Sequence, residues 1–231
     1  MKQTTYSLLA LTVLSLFAAS ASAQTIVNFE NIDRLDSSKS WAPKSGDSST
    51  THALVSGASS TNNGDVFVVA LNFDLTGLST QIQSATAITF EIDYTWASEA
   101  QLNIELLGFG KIDSTVVAED ATAVATSAGI KTGFTTGGGS SGTTVLGTLS
   151  YDVTSIVQSM DTNGFTFAGF RIVAPDKMPG PSDGSGDVLG FYRYDNIPEG
   201  AATLTIIPEP GTFALFAGLA TFALVSCRRK V

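Results

Sequence analysis

Apolar and polar residues alternate most cleanly at Ile88, Phe90, Ile92, Tyr94 and Trp96, with Thr89, Glu91, Asp93 and Thr95 between them. A period of two puts successive side chains on opposite faces of a strand, so this stretch predicts a half-buried β-strand. Leu102, Ile104 and Leu106 repeat the pattern against Gln101, Asn103 and Glu105, and the short Ala97-Ser98-Glu99-Ala100 between the two runs predicts a hairpin. Val66 to Phe73 is apolar on both faces, the mark of a central strand covered on both sides. Shorter strands are expected at Thr25 to Glu30, His52 to Ser56, Ser114 to Val117, Thr143 to Tyr151, Phe165 to Val173, Val188 to Tyr194 and Ala202 to Ile207. Asn31 to Thr50, with Trp41 inside it, reads as a long polar loop, and Glu119 to Ser141 as a flexible excursion of small residues. One segment changes period: Val153, Ile156, Val157 and Met160 fall on one face of a short helix, with Asp152 or Thr154 as its cap and Asp161-Thr162-Asn163-Gly164 as its stop. The pattern is that of an all-β body of antiparallel strands with one short helix.

Both ends of the chain depart from this grain. Met1 to Ala23 carries one cation, Lys2, then an apolar run, then Ala21-Ser22-Ala23 before Gln24, which is a secretory signal peptide with cleavage between Ala23 and Gln24. At the other end Pro208-Glu209-Pro210 and Gly211 precede an uncharged apolar run, Cys227, and the basic cluster Arg228, Arg229, Lys230. Residues 211 to 227 number 17, roughly 25 Å as a helix, near the short limit for a transmembrane span. The cations place Val231 in the cytoplasm and the body outside. The chain therefore divides into a signal peptide at 1–23, a body at 24–207 and a C-terminal signal at 208–231: motif 208–210, transmembrane helix 211–227, basic tail 228–231.

This C-terminal order resembles the PEP-CTERM sorting signal of bacterial surface proteins. The resemblance implies export through the inner membrane, transient anchoring by the C-terminal helix, and processing at or near the motif by an exosortase, a membrane cysteine protease or transpeptidase. The destination is then the cell envelope, the surface or the extracellular space. A second resemblance lies in the body: Ala70-Leu71-Asn72-Phe73-Asp74-Leu75, Ile82 to Ile88, Tyr151-Asp152-Val153-Thr154-Ser155-Ile156-Val157, Gly164-Phe165 and Ala202 to Ile206 follow the order seen in DNRLRE-type domains. These are secreted jelly-roll β-sandwich modules similar to carbohydrate-binding modules, which implies that architecture for the body.

Between Glu30 and Glu209 the chain carries 8 Lys and Arg against 21 Asp and Glu, a net charge of −13. An acidic surface of this strength repels nucleic acid. The single cysteine lies in the tail and the single histidine is His52, so cysteine catalysis in the body and histidine-rich zinc sites are excluded by count. Two G-x-S-x-G strings, at Gly138 to Gly142 and Gly180 to Gly184, lie in predicted loops, whereas a nucleophile elbow needs a strand before it and a helix after it. Glu91, Asp93 and Glu105 are expected to face outward on neighbouring strands, a solvated acidic face or, if paired, carboxylates for glycoside hydrolysis. Calcium is the one candidate cofactor. Asp183 and Asp187 offer hard oxygen ligands on a Gly-rich turn, as do Asn62 to Asp65 and Asp161 to Gly164. Tyr192 and Tyr194, alternating with Arg193 beside that loop, are the candidate sugar-facing patch, with exopolysaccharide as the partner. The sequence thus points to a non-enzymatic surface or matrix protein, with a carbohydrate-binding module or weak hydrolase as the alternative.

Overall fold

The computed structural model describes residues 24–36, 40, 42–43, 52–56, 67–97, 102–134, 139–140, 145–175, 188–193 and 200–209. Its elements in chain order are β1 (Thr25–Asp36), β2 (Ala42–Pro43), β3 (His52–Ser56), β4 (Phe67–Asp74), α1 (Ser79–Gln83), β5 (Ala85–Tyr94), β6 (Trp96–Ala97), β7 (Leu102–Lys111), a 3-10 turn (Ala118–Ala121), β8 (Thr126–Phe134), β9 (Gly139–Ser140), β10 (Gly147–Asp152), α2 (Thr154–Thr162), β11 (Phe167–Val173), β12 (Val188–Arg193) and β13 (Ala202–Pro208). The described strands pair antiparallel throughout and join into one nearly closed sheet, so the all-β, antiparallel expectation holds.

The sheet has two limbs joined by β1. Thr25 to Asn28 pair with β13, which pairs with β5, which pairs with β10. After Asn28 the strand changes partner: Phe29 pairs with Phe73 of β4, and past a bulge between Phe29 and Asn31 the residues Asn31 to Asp36 continue along β4, followed by β11, β7 and β8. A bulge bends its strand and raises the local twist, which is how one strand serves both limbs. The inner residues of the limbs meet in a single core: Phe73 and Phe170 from one side, Phe90 and Tyr151 from the other. Phe73 lies edge-on to Phe90 and to Phe170 at 5.9 Å, and Phe90 and Phe170 are 5.2 Å apart. Each fully buried aromatic or large aliphatic side chain here contributes roughly 1.5–3 kcal/mol of transfer free energy.

Alternation located the buried residues correctly. Ile88, Phe90 and Ile92 of β5 and Ile104 and Leu106 of β7 are buried, and β4 is buried along both faces. The predicted hairpin does not form: β5 pairs with β10 and β13, β7 pairs with β11 and β8, and the two strands lie in opposite limbs. Alternation tells a strand which face is dry, not which neighbour it has. Asn31 to Asp36 is not loop but the second half of β1, with Asp33, Arg34, Leu35 and Asp36 all buried. Its polar groups are used locally: Asp33 Oδ1 accepts from the Arg34 N–H at 2.7 Å, and the Arg34 guanidinium stands 4.6 Å over the Phe67 ring.

The stretch after β7 also differs. Ser114 to Val117 is not a strand, and Glu119 to Ser141 contains the end of the 3-10 turn, β8 and β9. Residues 112 to 125 fold over the outer face of β4, where Leu35, Val68, Ala70, Ala121 and Val173 form a second, smaller core. The expectation of one helix is corrected to two. The predicted helix is α2, its Ile156, Val157 and Met160 buried together with Val153, which takes the N-cap position in place of the expected Asp152 or Thr154, and its exit is a Schellman turn: Phe165 N–H donates to Met160 O, Gly164 N–H to Asp161 O, with Gly164 at φ +78°. The additional helix, α1, spans only Ser79–Gln83 and buries one residue, Ile82, too few positions to show a period.

Candidate functional site

The two helices cross the same end of the body. α1 connects the end of β4 to the start of β5, and α2 connects the end of β10 to the start of β11, each passing from one limb to the other. They are tied together by side chains. Gln158 Nε2 donates to Ile82 O and Ala85 O, while Gln83 Nε2 and Ser79 Oγ donate to Asp161 Oδ2 at 2.6 and 2.9 Å. Asp161 is thus committed to joining the helices, although its turn offers oxygens of the kind a calcium ion takes.

The chain enters and leaves the body at this end. Gln24 is exposed and directly precedes β1, whose first residue Thr25 is paired with Ile206 near the end of β13. Adjacent strands are about 4.8 Å apart, so the start of the body and the Pro208-Glu209 motif are neighbours. Pro208 is the last residue of β13, half-buried and paired with Ala85 beyond a bulge at Ile207. Glu209 N–H donates to Ser84 O at 2.9 Å, and Thr86 Oγ1 donates to Ile207 O at 3.1 Å. The first two motif residues are therefore laid along the body's own sheet. Pro210, Gly211, the apolar run and Arg228, Arg229 and Lys230 lie outside the described residues, as does Ala23. Among the described residues no helix is long and apolar enough to cross a membrane.

Other predicted groups are dispersed. Glu91 faces outward on β5 opposite Ser150 and Thr203, and Asp93 accepts from Thr148 Oγ1 at 2.6 Å. Glu105 belongs to β7 in the opposite limb, so the three carboxylates do not share neighbouring strands. The backbone of Tyr192 and Arg193 lies in β12, with Arg193 registered against His52. Their side chains, and Tyr194, Asp183 and Asp187, fall outside the described residues. Among the described residues no three His, Cys, Asp or Glu side chains gather as a metal site. A cleft lined by Phe29, Ile32, Ile92 and Phe191 has a volume of about 10 Å³, room for one water at most.

Sequence reasoning missed a buried charge cluster under the 112–125 cover. Lys111 Nζ lies 2.6 Å from Asp120 Oδ2 and also donates to Thr115 O, while the same carboxylate oxygen accepts from Val117 N–H at 3.0 Å. Arg171 Nη1 donates to Asp120 O and Ala123 O at 3.0 and 2.8 Å. Burial pulls the Arg171 pKa below its usual value, against the opposing pull of Glu105 and Asp120. The available signal was scarcity: with so few cations in the body, Lys111 at the end of one strand and Arg171 inside another were candidates for buried pairs. The cluster is saturated by the body's own donors and acceptors, which gives it the chemistry of a latch.

No family model matches the chain, and no curated protein matches it.

Proposed function

We propose that the chain is an exported, non-enzymatic cell-surface or extracellular-matrix protein, sorted through its Pro208-Glu209-Pro210 motif and cleaved there by an exosortase. The observation that carries this reading is the order of the C-terminal sequence: motif, Gly211, uncharged apolar run, then Arg228, Arg229 and Lys230. The signal-peptide pattern ending at Ala23 supplies the export route. The adjacency of Gln24 to the end of β13 supports it, since a body delivered between two membrane-inserted signals is easiest to fold when both attach at one end. We read the body as a jelly-roll-like β-sandwich acting as a structural unit of the envelope or matrix, with exopolysaccharide as its surroundings.

The test is intact-mass analysis of the protein from its native host, with secreted and membrane fractions measured separately. A species that begins at Gln24 and ends between Pro208 and Gly211 is expected, and any excess mass identifies what the enzyme attached. A species that retains Arg228, Arg229 and Lys230 in every fraction sinks the sorting reading.

A further inference from the structure

We propose that the helical end of the body, built by α1, α2 and the exit of β13, is a membrane-docking surface that sits in the phospholipid headgroup layer while the chain is tethered. This inference rests on the tail being the membrane anchor of the reading above.

The first support is reach. The last residue held by the body is Glu209, through its bond to Ser84, and the apolar run begins at Gly211. Two residues span about 7 Å at most, while the headgroup layer is about 5–8 Å deep on each side of the hydrocarbon. An apolar run that enters the bilayer at Gly211 therefore leaves no room for a water layer between the body and the lipid. The run is also short for the hydrocarbon core, and such a mismatch draws the attached body inward.

The second support is the surface itself. Exposed apolar side chains ring this end: Ile112 is 77% exposed, Ile207 42% and Phe165 36%, with Ile26 at 60% on the strand beside Ile207. Phe165 follows the exit of α2, and Ile112 follows the end of β7 and accepts from Thr166 Oγ1 through its carbonyl. Between them the exposed positions of the helices are hydroxyls and amides, such as Thr80, Gln83, Ser155 and Ser159. Apolar tips set among hydrogen-bonding groups suit an interface that is greasy below and wet above.

The third support is charge. Asp74, Asp113, Asp152 and Asp161 at this end each accept hydrogen bonds, from Thr76 N–H, Thr115, Thr154, or Ser79 and Gln83, and Glu209 is exposed beside them. The cation at this end among the described residues, Lys111, is buried against Asp120. Attraction by anionic lipid is thus not available, so the layer recognised is a zwitterionic one.

The test uses the full chain with Cys227→Ser, reconstituted in phosphatidylcholine vesicles that carry a headgroup spin label. A single fluorophore is placed at Thr80→Cys or Ser155→Cys on the docking end, or at Val145→Cys. Val145 lies beyond the far end of β5, roughly 30 Å away along the strand. Quenching at both helical positions several-fold above that at Val145, and no greater when phosphatidylglycerol replaces part of the lipid, is expected. If the chain floats with the vesicles but positions 80 and 155 are quenched no more than 145, the docking surface is refuted, whether that end then faces water or another copy. If the chain does not float, the anchor reading falls first and this inference with it.

Discussion

Replacing Asp120 by Asn tests whether charge holds the 112–125 cover on the sheet. The Lys111 and Asp120 side chains are only 8% and 6% exposed, with 2.6 Å between Nζ and Oδ2. Asn keeps the shape of the carboxylate but removes its charge, leaving a buried ammonium. Removing one member of a buried ion pair costs about 3–5 kcal/mol, because the partner remains desolvated without compensation. Lys111 retains the Thr115 carbonyl and, at 3.9 Å, the solvated Asp113 carboxylate, so the lower end applies, about 3 kcal/mol. For a domain of this size that corresponds to a fall in Tm of roughly 6–12 °C. Urea unfolding gives the free energy, and amide exchange at Val117 and Asp120 shows where it is lost. The double variant Lys111→Met with Asp120→Leu removes both charges and should recover part of the loss, since an apolar pair can replace a buried ionic one, the remainder reflecting the Thr115 carbonyl and Val117 N–H that lose these partners. A D120N protein within about 1 kcal/mol of the parent, with unchanged exchange at Val117, would show that the cover is held by its apolar residues alone.

Two further outcomes follow from packing and titration. A Cβ on Gly108 would stand 2.6 Å from Ile156 Cγ2 and 3.1 Å from Phe170 Cε1, so Gly108→Ala should destabilise by about 1–3 kcal/mol in urea unfolding; no loss would mean that α2 can slide on β7. The Asp152 pKa is lowered from its ordinary 3.8 by hydrogen bonds from Thr154 Oγ1 and N–H. A carboxylate with a depressed folded-state pKa stabilises above its unfolded value and loses that contribution as pH falls through the folded one. The parent should therefore exceed Asp152→Ala by about 1 kcal/mol at neutral pH, with the gap closing as pH drops below 3.8; a gap independent of pH would refute this.

How much of the fold was legible depended on the distance over which each signal acts. The period of two at Ile88 to Trp96 and the apolar run from Val66 gave strands and buried faces, because alternation is a property of one strand against one core. The helix at Val153 to Met160 and its Gly164 stop were legible for the same local reason. The pairing of β5 with β13 and of β7 with β11 was not, since these partners are remote in sequence and no short-range pattern names them. Asn31 to Asp36 misled because four of its six residues are polar or charged, and the burial of Asp33, Arg34 and Asp36 becomes tolerable only once β4 and Phe67 surround them. The tail motif could be read as a string, but not the fact that its first two residues lie on Ser84 and Ala85. That depends on how far β13 runs.

The change of partner within β1 also sets an order of events. Its first four residues, Thr25 to Asn28, find their partner only in Thr203 to Ile206, at the opposite end of the body. As the chain is synthesised these residues of the body emerge first and are the last to be paired. Contacts between the extremes of a chain demand the closing of its longest loop and slow folding accordingly. The other half of β1 can meet β4 much earlier, so a partly synthesised body holds one limb organised and one strand edge open. An open edge can recruit a strand from another chain. The arrival of β13, which brings Pro208 and Glu209 with it, is the step that closes that edge.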